Sequence, residues 1–147
     1  MSAYERHLTD VAARTLETLC FCYPMPLLSN AHRDAQVDAA MSVAFRGPIS
    51  GRLVVRVCGG MLGALASNML GDADADTRMQ RDALGEVANV MCGTVIPLIG
   101  GSHVAFVLGA PLPVVVLGHV KPHPVAEASF GLEQSGRVDV FLYLEAA

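Results

Sequence analysis

The chain has 147 residues, of which 52% are hydrophobic and 16% charged, with a formal net charge of −4. That length predicts a single domain spanning 1–147 with a core of its own, and the negative balance argues against a nucleic-acid backbone as partner. No uninterrupted apolar run reaches the roughly 18 residues that cross a bilayer, and the opening MSAYERHLTD lacks the basic stretch and apolar core of a signal peptide, so a cytoplasmic location away from the membrane is expected.

Residues 2–20 predict a first helix. Leu8, Val11, Ala12, Thr15, Leu16 and Leu19 recur at helical spacing, with Glu5, Arg6, Arg14 and Glu17 mostly outside that stripe. Ser2 and Glu5 have capping-box spacing. Pro24 and Pro26 end the segment and open a loop through Asn30. The four cysteines, Cys20, Cys22, Cys58 and Cys92, form no C-x-x-C pair. Reduced thiols are expected, and the C-x-C pair of Cys20 and Cys22 is a weak redox signal beside the commoner burial of small apolar thiols.

Residues 36–45 alternate as a strand should, with Val37, Ala39, Met41, Val43 and Phe45 on one side. Arg46-Gly47-Pro48 is a turn signal. Residues 49–57 alternate again, Leu53, Val55 and Val57 against Arg52, Val54 and Arg56, so the two runs predict a hairpin. Residues 59–70 predict a short helix with Met61, Leu62, Leu65, Ala66 and Met69 inward and Gly71 placed to cap its end. GGMLG at 59–63 follows a strand and opens a helix, as a phosphate loop does, but it lacks the lysine and the full glycine pattern. The aspartates of GDADAD at 71–76 begin like a calcium loop. The match fails because Thr77 stands where glycine is needed and Ala83 where glutamate is needed. A solvated acidic linker is the simpler reading.

Residues 77–99 predict the longest helix. At roughly 100° per residue, Asp82, Glu86, Asn89 and Gly93 share one face. Leu84, Val87, Ala88, Met91, Val95 and Leu98 fall opposite and supply the core stripe. Thr77 and Gln80 fit a capping box, and Pro97 predicts a kink or an early end. Between positions 83 and 120, Glu86 is the sole Asp, Glu, Lys or Arg. A nearly uncharged face with one carboxylate and one amide suits close contact with another molecule. Gly85 and Gly93 have no side chains to hold a partner away. The competing reading is a plain solvated face with glycines packed on a neighbouring helix.

Residues 99–102 form a turn, 103–108 a strand candidate and 114–117 a short apolar run, with the PLP of 111–113 breaking any continuous strand between them. Another break falls at 121–124. Residues 125–133 and 137–145 predict a closing hairpin joined by Gln134-Ser135-Gly136, with Val138, Val140, Leu142 and Leu144 on one face. His119 and His123 are weak zinc candidates, since Pro122 excludes a regular helix and no third ligand is near. His103 reads as structural. No G-x-S-x-G, P-loop or G-x-G-x-x-G occurs. The fold class is α+β, helices packed on a mainly antiparallel sheet.

The order Asp82-x-x-x-Glu86-x-x-Asn89, with Pro111 and Pro113 roughly 22 residues further on, resembles the signature of the CheC/CheX/FliY family of chemotaxis phosphatases. ALGEVANVMCGTVIPLI is similar to that family's active helix, and GRLVVRVCGGMLGALASNMLG to the strand and helix before it. The likeness runs from about Ala3 onward and is best over 51–113. The first helix has Asp10, Arg14 and Glu17 but no Glu-x-x-Asn pair, so the chain looks like single-site CheX rather than two-site CheC.

The resemblance implies a CheC-like fold and a homodimer whose sheet extends across subunits. It implies dephosphorylation of a phosphorylated CheY-type response regulator, with Glu86 and Asn89 catalytic. Asn89 would orient the attacking water, and Glu86 would pair with a lysine beside the phosphoryl group. Asp82, Gly85 and Gly93 would help the contact with the partner. No cofactor or metal is expected in this chain, the magnesium ion belonging to the partner's active site. The alternative is a non-catalytic module that binds a response regulator or a flagellar-switch component. A small-molecule sensor is a third reading, but no cluster of polar residues points to it.

Overall fold

The computed structural model of the chain describes residues 1–72, 74–114 and 123–145. Its elements are α1 (Ala3–Thr18), α2 (Asn30–Asp34), β1 (Val37–Arg46), β2 (Gly51–Cys58), α3 (Met61–Leu70), α4 (Thr77–Gly100), β3 (Val107–Leu108), β4 (Leu112–Pro113), β5 (Ala126–Gly131) and β6 (Arg137–Leu144). The strands form one sheet in the order β3-β1-β2-β6-β5, with β4 also paired to β1. Every pairing is antiparallel. This is the α+β architecture that the alternation and the helical stripes predict.

Period-two alternation decides which face of the sheet is buried. Met41, Val43, Phe45, Leu53, Val55, Val57, Val138, Val140 and Leu142 point to one side and join a single core with residues of α1, α3 and α4. Gly51 opens β2 opposite Leu144 of its antiparallel neighbour β6. A Cβ there would collide with the Tyr143 carbonyl oxygen, so the close approach of the two backbones requires glycine. On the opposite face Ala40, Val54 and Tyr143 make a second, small cluster. Asp139 is buried on that face with 1% exposure. Its carboxylate takes Arg56 Nη2 at 2.7 Å, Ser129 Oγ at 2.8 Å and Arg137 Nε at 3.1 Å, so the buried charge is fully partnered.

Each helix begins where a local acceptor meets its orphan N–H groups. Ser2 Oγ accepts from Glu5 N–H at 3.1 Å at the start of α1. For α4 the cap is Asp76, whose carboxylate accepts from Met79 N–H at 2.9 Å. Thr77 is already helical, and the Gln80 amide donates to the Ala75 carbonyl at 3.0 Å, so the Thr77–Gln80 capping box does not form. Helix α3 starts two residues later than the spacing predicts, because Gly59 and Gly60 take φ of 76° and 78°. At its other end Gly71, at φ 66°, caps as expected.

Pro97 does not end α4, which continues to Gly100 and closes with Gly101 N–H on the Pro97 carbonyl. The proline strips the Gly93 carbonyl of its helical donor. Gly93 is exposed, so water can serve there. Leu98, expected on the core stripe, is 51% exposed, while Ala83, Cys92 and Ile96 are buried instead. The apolar arc of α4 is therefore wider than a single stripe, because β1, α1 and α3 all pack on it. By length and composition alone α4 could cross a membrane, with a mean hydropathy of 1.5 over its best window, yet half of that window is buried inside the fold.

Helix α2 begins at Asn30, where the expected loop ends, in a stretch to which the sequence patterns assign no element. Ser29 and His32 make a capping box of unusual composition, with the imidazole in the role usually taken by Glu or Gln. His32 Nδ1 accepts Ser29 N–H at 3.0 Å, which leaves Nε2–H to donate to the Leu132 carbonyl at 2.7 Å. Only Val107–Leu108 of the strand expected over 103–108 is strand, because only those residues pair with β1. The apolar run expected over 114–117 lies, from position 115 onward, outside the described residues.

Candidate functional site

Packing on three sides fixes which face α4 presents. Leu84, Val87, Ala88, Met91 and Val95 have no exposed surface, so the helix cannot roll without opening the core. Asp82, Glu86 and Gly93 are thereby held exposed and Asn89 half-buried, on the side their spacing predicts. Among the described residues, the side-chain hydrogen bonds along α4 run from Gln80 to Ala75 and from Thr94 to the Val90 carbonyl. The ion pairs among those residues are all at Asp139. Asp82, Glu86 and Asn89 thus have no partner among them, and their polar atoms remain open to another molecule.

The two glycines sit differently. Gly85 is buried, and a Cβ there would lie 3.1 Å from Pro111 Cβ and 3.7 Å from Met41 Cε. Its missing side chain admits the segment before β4 to the helix, so the space expected for a partner is filled from within the chain. Gly93 is exposed, and a Cβ there would touch only Leu108 Cδ1, at 3.5 Å. Gly85, Asn89 and Gly93 are four residues apart and lie along one stripe. Asn89 therefore stands between the Pro111 and Leu108 contacts, along the shelf that runs from β3 to β4. A glycine inside a helix with nothing local to explain it signals such a close approach; the spacing shows the signal but not which segment answers it.

The competing sites resolve into structure. At the GGMLG turn, the Asp38 carboxylate accepts from Gly60 N–H at 3.1 Å and Leu62 N–H at 3.2 Å. An internal anion thus occupies the helix N-terminus that a phosphate would need. In the acidic linker, Asp72 accepts from Asp74 N–H at 2.9 Å, a local turn. Among the described residues, no group of three His, Cys, Asp or Glu side chains could hold a metal. His119 lies outside the described residues, and His123 is exposed. The four cysteines are free and buried. Burial pushes the Cys92 thiol up to about 12, and burial with the neighbouring Cys22 does the same to Cys20. Neither is poised as a nucleophile.

What remains is an amide and a carboxylate one turn apart on a rigid helix. The amide can donate and accept at once. The carboxylate can pair with a cation that another molecule brings.

A family model for the chemotaxis phosphatase CheX matches residues 39–130. Among solved structures, CheX from Desulfovibrio desulfuricans is 22% identical with a TM-score of 0.75, over 98% of this chain and 100% of that one. CheX from Vibrio vulnificus is 18% identical with a TM-score of 0.74, over 98% and 97%. The CheX–CheY complex of Borrelia burgdorferi, with beryllium fluoride and magnesium, is 13% identical with a TM-score of 0.69, over 97% and 98%. Among the curated proteins, none matches the chain.

Proposed function

Because the chain belongs to the chemotaxis phosphatase CheX family, we propose that in the cytoplasm it accelerates hydrolysis of the aspartyl phosphate on a CheY-type response regulator. The observation that carries this reading is the pair Glu86 and Asn89, held outward on α4 with no side-chain partner among the described residues. The Borrelia complex of a CheX with CheY supports a receiver domain as the class of partner.

The reaction needs little from the helper beyond positioning. A water oxygen attacks phosphorus, the bond from phosphorus to the aspartyl oxygen breaks, and inorganic phosphate leaves with the free carboxylate restored. Asn89 accepts a hydrogen bond from the water and donates to a phosphoryl oxygen, so it holds the nucleophile in line. A carboxylate in its place would repel the phosphoryl group. Glu86, about 4.5 Å along the helix axis from Asn89, pairs with a lysine beside the phosphoryl group and fixes the register of docking. Asp82, one turn earlier, adds to the same contact, and Gly93 lets the partner come close. The magnesium ion belongs to the receiver in this reading. The functional unit is a homodimer with the sheet continued across subunits.

The test is phosphate release from a phosphorylated receiver domain, with and without the chain. Asn89→Ala should lower the rate at saturation by roughly 10²-fold while leaving binding to the beryllofluoride-loaded receiver within about twofold. Glu86→Lys should weaken binding as well as rate. Wild-type turnover in Asn89→Ala refutes the mechanism. Binding by the wild-type chain without any acceleration selects the non-catalytic module.

A further inference from the structure

Beside the exposed carboxylates lies a hollow of about 400 Å³ between α3 and the first turns of α4. Leu19, Met69, Leu70, Met79 and Ala83 line it together with the exposed carboxylates Asp82 and Glu86. Leu70 is 47% exposed and Met79 36%, so large apolar side chains face water at the edge of the proposed site. Methionine is the side chain that adapts its shape to an incoming group.

Resting on the proposed function, we propose that this hollow is the anchor for the receiver domain: it takes an apolar side chain that the receiver carries beside its active-site cation. Two observations select that occupant. The first is reach. A specific interface covers about 800 Å² on each partner, a disc of about 16 Å radius. Met79 is about 15 Å along the helix from Asn89, so a receiver centred on Asn89 covers the hollow. The second is charge. Asp82 and Glu86 stand together at the hollow, exposed and with no ion-pair partner among the described residues, which complements an occupant that carries positive charge next to its apolar group. The hollow then supplies the buried anchor and the carboxylates the polar rim, the usual division of labour in an interface.

The double variant Leu70→Gln with Met79→Gln tests this, since both residues are on helix surfaces and glutamine keeps helix propensity. Binding to a CheY-type receiver loaded with beryllium fluoride and magnesium is measured by calorimetry. Phosphate release is measured against receiver concentration. The dissociation constant and the half-saturating concentration should each rise about tenfold, with turnover at saturation within twofold and thermal unfolding unchanged. Asn89→Ala should show the reverse pattern. Unchanged affinity in the double variant, while Asn89→Ala loses turnover, refutes the hollow and leaves the phosphatase reading intact. A shift of the double variant from dimer to monomer in sedimentation assigns the hollow to a second copy of this chain and also overturns the proposal. Absence of receiver binding by the wild-type chain refutes both readings.

Discussion

The two glycines of α4 allow a paired measurement that isolates packing from helix propensity. Replacing either with alanine removes the same backbone penalty, about 1 kcal/mol. At Gly93 the new methyl would meet only Leu108 Cδ1 at 3.5 Å, an ordinary contact. Gly93→Ala should therefore be stabilised by about 1 kcal/mol, or about 2–4 °C in Tm. At Gly85 the methyl would lie 3.1 Å from Pro111 Cβ. Pro111 has little room to retreat, because its segment is tied by Gly109 N–H on the Ala44 carbonyl at 2.8 Å and Val114 N–H on the Ala40 carbonyl at 2.9 Å. Overpacking of this kind costs about 1–3 kcal/mol. Gly85→Ala should thus fall below Gly93→Ala by that amount in urea unfolding followed by far-UV circular dichroism. Equal midpoints for the two variants would refute the assignment of Gly85 to the internal contact. The same pair separates stability from docking: Gly93→Ala, though more stable, should bind the receiver several-fold less tightly.

Two further outcomes follow from the buried polar groups. Asp139→Asn leaves Arg56 and Arg137 without their counter-charge beneath the sheet and should cost about 3 kcal/mol in urea unfolding; a loss under 1 kcal/mol would mean the charge is not what holds them. The raised thiol values of Cys20 and Cys92 set a direction with pH. The unfolded chain releases these protons near the ordinary value of 9.0 while the folded chain keeps them to about 12, so stability is intact below pH 9 and falls as pH climbs toward 12. Urea midpoints of Cys92→Ala and the parent across pH 8 to 11, as an approximate range, should converge as pH rises.

Most of the fold was legible because burial here follows simple periods. The hairpin of β1 and β2 and the closing strand β6 alternate cleanly, the Arg46-Gly47-Pro48 turn divides β1 from β2, and Gly71 marks the end of α3. Errors arose where a side chain outside the assumed element did the work. Asp76 caps α4 because its carboxylate, and not the Thr77 hydroxyl, reaches Met79 N–H. His32 builds α2 only because the Leu132 carbonyl, 100 residues away in sequence, orients its ring. Leu98 left the core stripe because it lines an open hollow between α1 and α4 with Val11 and Val90, while Ile96 and Ile99 take the core contacts of that turn. At the site, helical spacing alone placed Asp82, Glu86 and Asn89 on the open side. The shelf at Pro111 and the hollow at Leu70 were hidden because each joins residues that no local pattern connects.

The position of β6 in the middle of the sheet has a kinetic consequence. Arg137 meets Cys58 across a sequence separation of 79, and every rung between β2 and β6 waits for that long closure. Until it happens, the hairpin of β1 and β2 carries Leu53, Val55 and Val57 along an open margin that a stray strand from another molecule could occupy. Synthesis halted before Arg137 would yield a species prone to clump rather than a smaller version of the native molecule.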